Sequence, residues 1–247
     1  MNKIIHGNNI EIMKKWVDEG IKINTIVTSP PYNLKGFKEG NIKPGGWHSH
    51  IEYDNFDDNL PEEEYQKQQI EFLNICYDLI PDNGSMFYNH KNRRYKNKIT
   101  TPYEWILKSK FNIYQEIIWD RQGSPDSNML YFIDNTEKIF WLTKIKPKTF
   151  RNHLEKRFKT TIWSIHPGKK EYNHPAPYPV QIPLNCILMT TEEGDTVLDP
   201  FVGSGSTIEA CIKSKRNYLG IDISEKYVIM TKERIFKIEK KKLRELF

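Results

Sequence analysis

The last third of the chain repeats a strand followed by a helix, and this repeat restricts the fold more than any other feature. A short apolar segment, residues 196–198, precedes a glycine-containing loop and a helix that is predicted over residues 206–214. A second apolar segment, residues 218–221, leads into a final helix. Strands that alternate with helices of about 10–15 residues form mostly parallel sheets. We therefore predict an α/β fold with a mostly parallel sheet and helices on both faces.

The rest of the chain supplies further strands and helices for this sheet. Apolar periodicity is clearest in residues 62–80, where large apolar side chains recur at helical spacing. The other predicted helices cover residues 9–18, 102–110 and 180–191. Strands are predicted over residues 3–6, 23–28, 85–89, 113–119 and 137–143.

The composition of the 247 residues excludes several classes of protein. With 38% hydrophobic and 13% aromatic residues, the chain is too apolar to be disordered and can bury a sizeable core. No apolar run approaches the roughly 18–20 residues of a membrane span, and the start of the chain lacks a signal-peptide stretch. Cys76, Cys186 and Cys211 are too widely spaced for a disulfide scaffold or a zinc site, and the histidines show no ligand spacing. We expect a soluble, cytoplasmic protein without a metal.

Positive charge is concentrated in one block of the second half. The net charge is +5, and nine Lys or Arg residues lie between Lys144 and Lys170 against a single acid, Glu155. Aromatic residues are interleaved with them, a mixture that is typical of surfaces that bind phosphates and stack on bases. A second basic run, residues 232–244, is interpreted as a solvated helix face. The candidates for nucleic-acid contact in the first block are Lys148, Arg151, Lys156, Arg157 and Lys159.

The loop after the first of the two C-terminal strands has the features of a nucleotide-type cofactor site. Its sequence, DPFVGSGST, begins at Asp199, an acid suited to a cationic or amino group. Gly203 and Gly205 allow a ligand to approach the backbone closely at the start of a helix. The next strand ends at Asp222, which is placed to accept hydrogen bonds from ribose hydroxyls. A dinucleotide-binding motif would have a third glycine where Ile208 stands. The alternative is an ordinary tight turn between a strand and a helix.

A second candidate site is the turn that follows the predicted strand 23–28, with the sequence Ser29-Pro30-Pro31-Tyr32. Consecutive prolines cannot continue a strand ladder, so the chain leaves the sheet where open α/β sheets bind ligands. The Ser29 hydroxyl and a backbone carbonyl can accept both N–H bonds of an exocyclic amino group, while Tyr32 stacks on the base. Taken alone, such a turn can also be a kink in a linker.

Together, the two motifs resemble those of a known enzyme family. DPFVGSGST resembles the cofactor motif of S-adenosyl-L-methionine (SAM)-dependent DNA methyltransferases, and TSPPYN resembles the catalytic motif of members that methylate cytosine N4 or adenine N6. The catalytic motif comes first, which is the circularly permuted order of the β class. The resemblance implies a Rossmann-like methyltransferase fold. It also implies a catalytic domain from residues 1–144 and 172–247, with a small target-recognition insertion over residues 145–171.

The resemblance assigns roles to individual residues. The implied catalytic residues are Ser29, Pro30, Pro31 and Tyr32. The residues implied to bind SAM are Asn8, Pro177, Tyr178, Asp199, Phe201, Gly203, Ser204, Gly205, Thr207, Asp222 and Ile223. The segment EKIFWLTK, residues 137–144, also fits a strand of the family.

The implied reaction is direct methyl transfer from the sulfonium to the amino nitrogen of a base flipped out of double-stranded DNA. Ser29 favours cytosine N4, because aspartate is commoner at this position in adenine-N6 enzymes. The alternatives are an adenine-N6 enzyme, then an RNA amino-methyltransferase, then an inactive nucleic-acid-binding module. A cognate restriction endonuclease, a homodimer partner and association with the nucleoid are further expectations.

Overall fold

The computed structural model describes residues 2–34, 60–95, 98–123, 132–167 and 178–244. These residues form an eight-stranded mixed sheet, a separate two-stranded hairpin and six α-helices. The strands are β1 (Lys3–His6), β2 (Thr25–Thr28), β3 (Ser85–His90), β4 (Arg93–Tyr95), β5 (Lys98–Thr100), β6 (Asn112–Asp120), β7 (Thr136–Thr143), β8 (Ile162–Ser164), β9 (Thr196–Asp199) and β10 (Asn217–Asp222). The helices are α1 (Asn9–Asp18), α2 (Glu62–Leu79), α3 (Tyr103–Ile106), α4 (Gln181–Thr190), α5 (Ser206–Lys213) and α6 (Glu225–Arg244).

The main sheet has the strand order β1-β10-β9-β2-β3-β7-β6-β8. The first five of these strands are parallel to one another, β7 is antiparallel to both of its neighbours, and β8 is parallel to β6. The hairpin β4–β5 stands apart from this sheet. The predicted mostly parallel α/β sheet is therefore confirmed, with an antiparallel strand within one half.

The order in which successive strands are added to the sheet reverses between β9 and β2, although the two strands are parallel. From β9 the chain passes through α5 to β10 on one side, and from β2 it passes on to α2 and β3 on the other side. Open α/β sheets bind ligands at such a switch point, beyond the carboxyl ends of the strands. Ser29 follows β2 and Asp199 ends β9, so both sequence motifs lie at this crevice.

Each face of the sheet is covered by its own apolar core. One core joins α1, α2 and α3 to the sheet, and it includes Met13, Phe72 and Trp105. The other joins α4, α5 and residues of the basic block, and it includes Cys186 and Trp163. Burying alternate strand residues on both faces requires the near-continuous apolar strands that the sequence contains.

The structure differs from the sequence-based prediction at three elements. The helix predicted over residues 102–110 is only the single turn α3, because Leu107 and Lys108 are exposed and the chain continues in turns. The hairpin β4–β5 and the edge strand β8 were not predicted. These strands have three residues each, too short for an apolar alternation to be detected.

Candidate active site

The catalytic and cofactor motifs are joined by a hydrogen bond at the switch point. Thr28 Oγ1, one residue before the Ser-Pro-Pro-Tyr turn, donates to Asp199 Oδ1 at 2.8 Å. Thr207 Oγ1, in the first turn of α5, donates to Asp199 Oδ2 at 2.6 Å. The backbone N–H of Phe201 also donates to Asp199, at 3.1 Å. Asp199 therefore organises both motifs from a single buried carboxylate.

The carboxyl group of Asp199 is an acid in an unfavourable environment for its charge. Burial raises the pKa of Asp199 from 3.8 to about 6, and the donors Thr207, Thr28 and Phe201 limit this rise. Among the described residues, no Lys, Arg or His forms an ion pair with it. A cationic ligand beside it would restore the low pKa of an ordinary carboxyl group.

The glycine loop adopts backbone conformations that favour glycine, and α6 holds it in place. Gly203 and Gly205 have φ angles of 49° and 81°. A Cβ on Gly205 would lie 3.0 Å from the Thr231 side chain. The Thr231 hydroxyl donates to the Gly203 carbonyl at 2.9 Å, and the Arg234 guanidinium donates to the Ser204 carbonyl at 2.7 Å. Two side chains of α6, which is distant in sequence, therefore hold the backbone of the loop in place.

Asp222 stands at the end of β10 and braces the same loop. Its Oδ2 accepts the Gly203 N–H at 2.9 Å, and its Oδ1 accepts the Ser224 N–H at 2.9 Å. Burial raises the pKa of Asp222. Each oxygen of an ionised carboxylate has two acceptor sites, so both can still accept a hydroxyl hydrogen. Ile223 follows it with 39% of its surface exposed, which gives an apolar wall beside these acceptors.

Three of the other residues that were predicted to bind the cofactor are among the described residues, and each has an identified contact. The Tyr178 hydroxyl is hydrogen-bonded to Thr207 Oγ1, so Tyr178 joins the group around Asp199. Phe201 packs edge-on against Phe72, with ring centroids 5.2 Å apart. Asn8 caps α1 by accepting the backbone N–H of Ile10 at 2.9 Å. Pro177 lies outside the described residues.

The two proline carbonyls of the Ser-Pro-Pro-Tyr turn differ in their hydrogen-bond partners. The Pro31 carbonyl accepts the Tyr65 hydroxyl at 2.9 Å. The Pro30 carbonyl has no hydrogen-bond donor among the described residues. Ser29 Oγ lies 2.8 Å from the Tyr32 hydroxyl, within hydrogen-bonding distance. Ser29 and Tyr32 are partly exposed, whereas Pro30 and Pro31 are buried.

A network reaching across the sheet fixes the direction of these hydrogen bonds. The Tyr32 hydroxyl donates to Glu137 Oε2 on β7 at 3.0 Å. Asn89 Nδ2 on β3 donates to the Tyr32 hydroxyl and to Glu137, both at 3.0 Å. Since the single hydroxyl hydrogen of Tyr32 goes to Glu137, the Ser29 hydroxyl donates to Tyr32. Ser29 Oγ also lies 3.4 Å from Asn89 Nδ2, so one of its two lone pairs faces that amide and the other is left to accept a hydrogen bond from a ligand. Arg121 donates to Glu137 Oε1 at 3.3 Å and balances its charge.

The buried ring of His90 packs against Tyr32 of the turn and is neutral. The centroids of its ring and of the Tyr32 ring are 4.4 Å apart. Its Nε2 lies 2.8 Å from the Tyr65 hydroxyl, and its Nδ1 lies 2.8 Å from the Lys91 carbonyl and 2.9 Å from the Lys91 backbone N–H. Tyr65 donates its own hydrogen to the Pro31 carbonyl. Burial and the positive charge of Arg93 lower the pKa of His90, which favours this neutral form.

The family model for N6/N4 methyltransferases, described as DNA methylase, matches residues 23–233. This chain belongs to that family. The Type II methyltransferase M.HpaI of Haemophilus parainfluenzae is 30% identical over 249 residues, covering 94% of this chain and 74% of M.HpaI. The Type II methyltransferase M2.MboI of Moraxella bovis is 27% identical over 254 residues, covering 95% of this chain and 88% of M2.MboI.

Solved structures resemble this DNA methylase over nearly its full length. The cytosine-N4-specific PvuII DNA methyltransferase has a TM-score of 0.73 at 18% identity, covering 93% of this chain and 84% of that chain. The complex of M1.HpyAVI with SAM has a TM-score of 0.64 at 22% identity, covering 95% of this chain and 100% of that one. The predicted family and the Rossmann-like methyltransferase fold are confirmed.

The basic block of the DNA methylase is split between the two edges of the sheet. Lys148 lies at the amino ends of the strands, where its backbone N–H donates to Asn83 and its ammonium pairs with Glu192 at 2.6 Å. The chain then crosses the sheet face, burying Phe158, and reaches the carboxyl end as β8. The other candidates are Arg151, Lys156 and Arg157, which are exposed, and Lys159, which is half-buried. Arg157 pairs with Glu155 at 2.9 Å.

Several residues of the candidate active site were not selected from the sequence, namely Asn89, His90, Arg121, Glu137, Thr231 and Arg234. For Thr231 and Arg234 a signal was present, because they share the helical spacing of the buried residues Tyr227 and Val228. The interpretation of residues 232–244 as a solvated face is wrong for Arg234, which is buried. Among the described residues, no group of three or more His, Cys, Asp or Glu is placed to hold a metal. None of the described helices is long and apolar enough to cross a membrane.

Proposed function

We propose that this DNA methylase transfers a methyl group from SAM to the exocyclic amino nitrogen of a base flipped out of double-stranded DNA, with cytosine N4 as the target. The hydrogen bond from Thr28 to Asp199, at 2.8 Å, is the observation that carries the proposal. It holds the end of the catalytic strand against the first residue of the glycine loop. Methyl transfer requires the donor and the acceptor to be held close together and aligned, and this bond supports that arrangement.

The residues of the glycine loop fit SAM, which supplies a methyl group activated by a sulfonium. The buried carboxylate of Asp199, whose pKa is raised to about 6, gains from a positively charged group nearby. The free acceptor sites of Asp222 suit ribose hydroxyls, and Ile223 offers an apolar surface to an adenine ring. The glycine backbone at the start of α5 gives the ligand room to approach.

The catalytic turn fits an amino group on a planar base. Ser29 Oγ and the Pro30 carbonyl are two acceptors for the two N–H bonds of the target amine. An exocyclic amine is a weak nucleophile because its lone pair is delocalised into the ring. Hydrogen bonds that accept both hydrogens favour a pyramidal nitrogen with its lone pair available, so positioning replaces a strong general base. The new N–CH3 bond would replace the S–CH3 bond of SAM, with S-adenosylhomocysteine as the leaving group, and the methylated nitrogen would then release one of its two protons to water. Tyr32 stacks on the extruded base and offsets part of the cost of flipping it.

The choice of cytosine N4 over adenine N6 rests on Ser29 alone. Its hydroxyl oxygen accepts a hydrogen bond without adding the charge of the aspartate found in many adenine-N6 enzymes. The likeness to the cytosine-N4-specific PvuII enzyme, at 18% identity, concerns the fold and not the base.

The Type II methyltransferases among the relatives suggest partners for this chain. We extend the proposal to a cognate restriction endonuclease that cuts the same unmethylated sequence, and to a homodimer. The division into a catalytic domain and a recognition insertion over residues 145–171 also remains part of the proposal. The strand β8 belongs to the main sheet, so any such insertion shares the core of the catalytic domain.

The experiment is to incubate the protein with labelled SAM and unmethylated genomic DNA, digest the DNA to nucleosides and identify the product by mass. N4-methylcytosine is the expected product. N6-methyladenine would overturn the base assignment but leave the amino-methyltransferase. If neither nucleoside forms in DNA and label enters RNA instead, the substrate class is wrong. The absence of any transfer, together with intact DNA binding, would reduce the protein to a nucleic-acid-binding module.

A further inference from the structure

A second basic element lies beside the catalytic turn, outside the block between residues 144 and 170. The segment from Lys91 to Thr100 contains five Lys or Arg residues and no acid. Its described residues, 91–95 and 98–100, include the paired strands β4 and β5, and we call these described residues the basic hairpin. It directly follows β3, whose last residues are Asn89 and His90. The hairpin therefore begins one residue after the ring that packs against Tyr32, at a centroid distance of 4.4 Å.

The base of the basic hairpin is anchored to the same side chain as the catalytic turn. The Arg93 guanidinium is buried and donates to both oxygens of Glu62, at 2.8 and 2.7 Å. It lies over the ring of Tyr65, 4.7 Å from the centroid. The hydroxyl of Tyr65 in turn holds the Pro31 carbonyl at 2.9 Å. The position of the hairpin is thus set relative to the turn through one rigid aromatic residue.

Two lysines of the basic hairpin, Lys91 and Lys98, are not neutralised in the same way. Glu62 uses both of its oxygens on Arg93, which balances one of the five positive charges. Lys91 is half-exposed and Lys98 is exposed, and neither forms an ion pair with a described residue. Arg94, which points away from the buried side of β4, is exposed as well. The carboxyl-end edge of the sheet therefore carries a patch of positive charge next to the catalytic turn.

We propose that the basic hairpin binds phosphates of the DNA strand that carries the target base. This inference rests on the proposed function and names a surface that acts in it. A base placed against Tyr32 keeps its own phosphates attached nearby, and Lys91 and Lys98 offer the complementary charge. Contacts to phosphates fix the register and orientation of a protein on DNA without reading its sequence. Lys148, in contrast, lies at the opposite edge of the sheet in an ion pair with Glu192.

The test compares two double variants that remove the same charge. In K91A/K98A both lysines belong to the basic hairpin. In the control, K22A/K108A, both lysines are exposed and precede β2 and β6 at the amino-end edge. The affinity for a fluorescein-labelled DNA duplex is measured by anisotropy over a series of salt concentrations. The dissociation constant for SAM and methyl transfer to unmethylated genomic DNA are measured on the same preparations.

For K91A/K98A we expect weaker DNA binding and a log–log salt slope that is less steep by about 2, since each lost phosphate contact removes about 0.9. Affinity for SAM should stay unchanged, and K22A/K108A should match the wild type in every measurement. If K91A/K98A keeps the wild-type slope while the wild type methylates DNA, the hairpin inference is wrong and the proposed function stands. If the wild type neither binds nor methylates DNA, the proposed function itself has failed.

Discussion

Tyr32 donates a hydrogen bond of 3.0 Å to Glu137, a residue 105 positions away on an antiparallel strand. This contact determines which hydroxyl donates and which accepts in the catalytic turn. Because the Tyr32 hydroxyl donates to Glu137, the Ser29 hydroxyl donates to Tyr32, and an oxygen lone pair of Ser29 is left for the target amine in the proposed reaction. We therefore propose Glu137 as a positioning residue that acts on the reaction through these two hydroxyl groups.

Replacing Glu137 by Gln should lower kcat more than it changes binding. The amide keeps the size of the side chain but loses the charge. It can donate an N–H to the Tyr32 hydroxyl, and the direction of the hydrogen bond between Ser29 and Tyr32 is then no longer fixed. A hydrogen bond to a charged group contributes about 1.5–3 kcal/mol, so a fall of about 10- to 100-fold in kcat is expected. Single-turnover methyl transfer measures it, with the dissociation constants for SAM and DNA as controls. An unchanged kcat would remove Glu137 from the mechanism.

Two substitutions at Tyr32 separate its hydroxyl from its ring. Y32F keeps the stacking surface and loses the bonds to Ser29 and Glu137, so we expect a lower kcat with a near-normal KM for DNA. Y32A also loses the ring, and stacking is worth about 1–3 kcal/mol per base, so KM for DNA should rise as well. Steady-state kinetics on both variants test this division. Identical defects in the two variants would contradict it.

How much of this site could be predicted depends on whether its residues are contiguous in the sequence. The turn Ser29–Tyr32 and the loop from Asp199 to Thr207 are short strings, and each follows an apolar strand, so local pattern placed both at the carboxyl edge. Asn89 and Glu137 could not be found in this way. They meet Tyr32 only because β7 pairs antiparallel with β3, and that register depends on the assembled sheet.

The elements of the fold also divide into those that a local pattern predicts and those that depend on the assembled structure. Regular alternation of strand and helix in the last third predicted the parallel half of the sheet. The basic hairpin and β8 have three-residue strands whose pairing is determined by neighbours, Glu62 beneath Arg93 and β6 beside β8. The mixture of cations and aromatic residues indicated that the block 144–170 is a surface that binds nucleic acid, although Phe158 and Trp163 within it belong to the core.

Asp199 should couple cofactor binding to pH. Its pKa is raised from 3.8 to about 6 by burial, so protonation below about pH 6 removes the negative charge that faces the ligand. Affinity for SAM should therefore fall as the pH drops through 6. D199N should bind SAM weakly at every pH and lose the part of this dependence that Asp199 contributes; Asp222, whose pKa is also raised by burial, remains in the variant. Isothermal titration from pH 5 to 8 measures it, with the exposed substitution D18N as the control for a lost charge. A wild-type affinity that is flat across this range would contradict the assignment.

The same group should destabilise the ligand-free protein at neutral pH. The folded state holds the Asp199 proton more tightly than the unfolded state, so the stability that this proton contributes is fully present below pH 3.8 and is lost as the pH rises through about 6. At pH 7 and without ligand, we expect the free energy of unfolding of D199N to exceed that of the wild type by up to about 3 kcal/mol. The unfolding temperature of D199N should be higher accordingly. Differential scanning calorimetry at pH 4.5 and 7 tests this, because the difference between the two proteins should shrink at the lower pH.

The exposed cations of the basic block should contribute to DNA binding independently of the hairpin. In the triple variant R151A/K156A/R157A we expect lower affinity for a DNA duplex and a flatter salt dependence, by about 0.9 for each phosphate contact that is lost. K148A is the control for loss of a cation of the same block at the amino-end edge, where Lys148 pairs with Glu192. Anisotropy over a salt series measures both variants. A triple variant that behaves like K148A would show that these exposed cations only form a solvated surface.

Gly205 should tolerate no side chain, and Gly20 provides its matched control. Both have positive φ angles, 81° and 70°, so alanine strains the backbone at either position by about 1–2 kcal/mol. A Cβ at Gly205 would also meet the Thr231 side chain at 3.0 Å, whereas nothing lies within 4 Å of one at Gly20. G205A should therefore lose more stability than G20A, and it should also bind SAM more weakly, because the loop must shift at the start of α5.

Adding T231A should recover part of the stability of G205A and none of that of G20A. Chemical denaturation and SAM titration of the four variants measure these effects, and equal losses in G205A and G20A would show that Thr231 does not confine the loop.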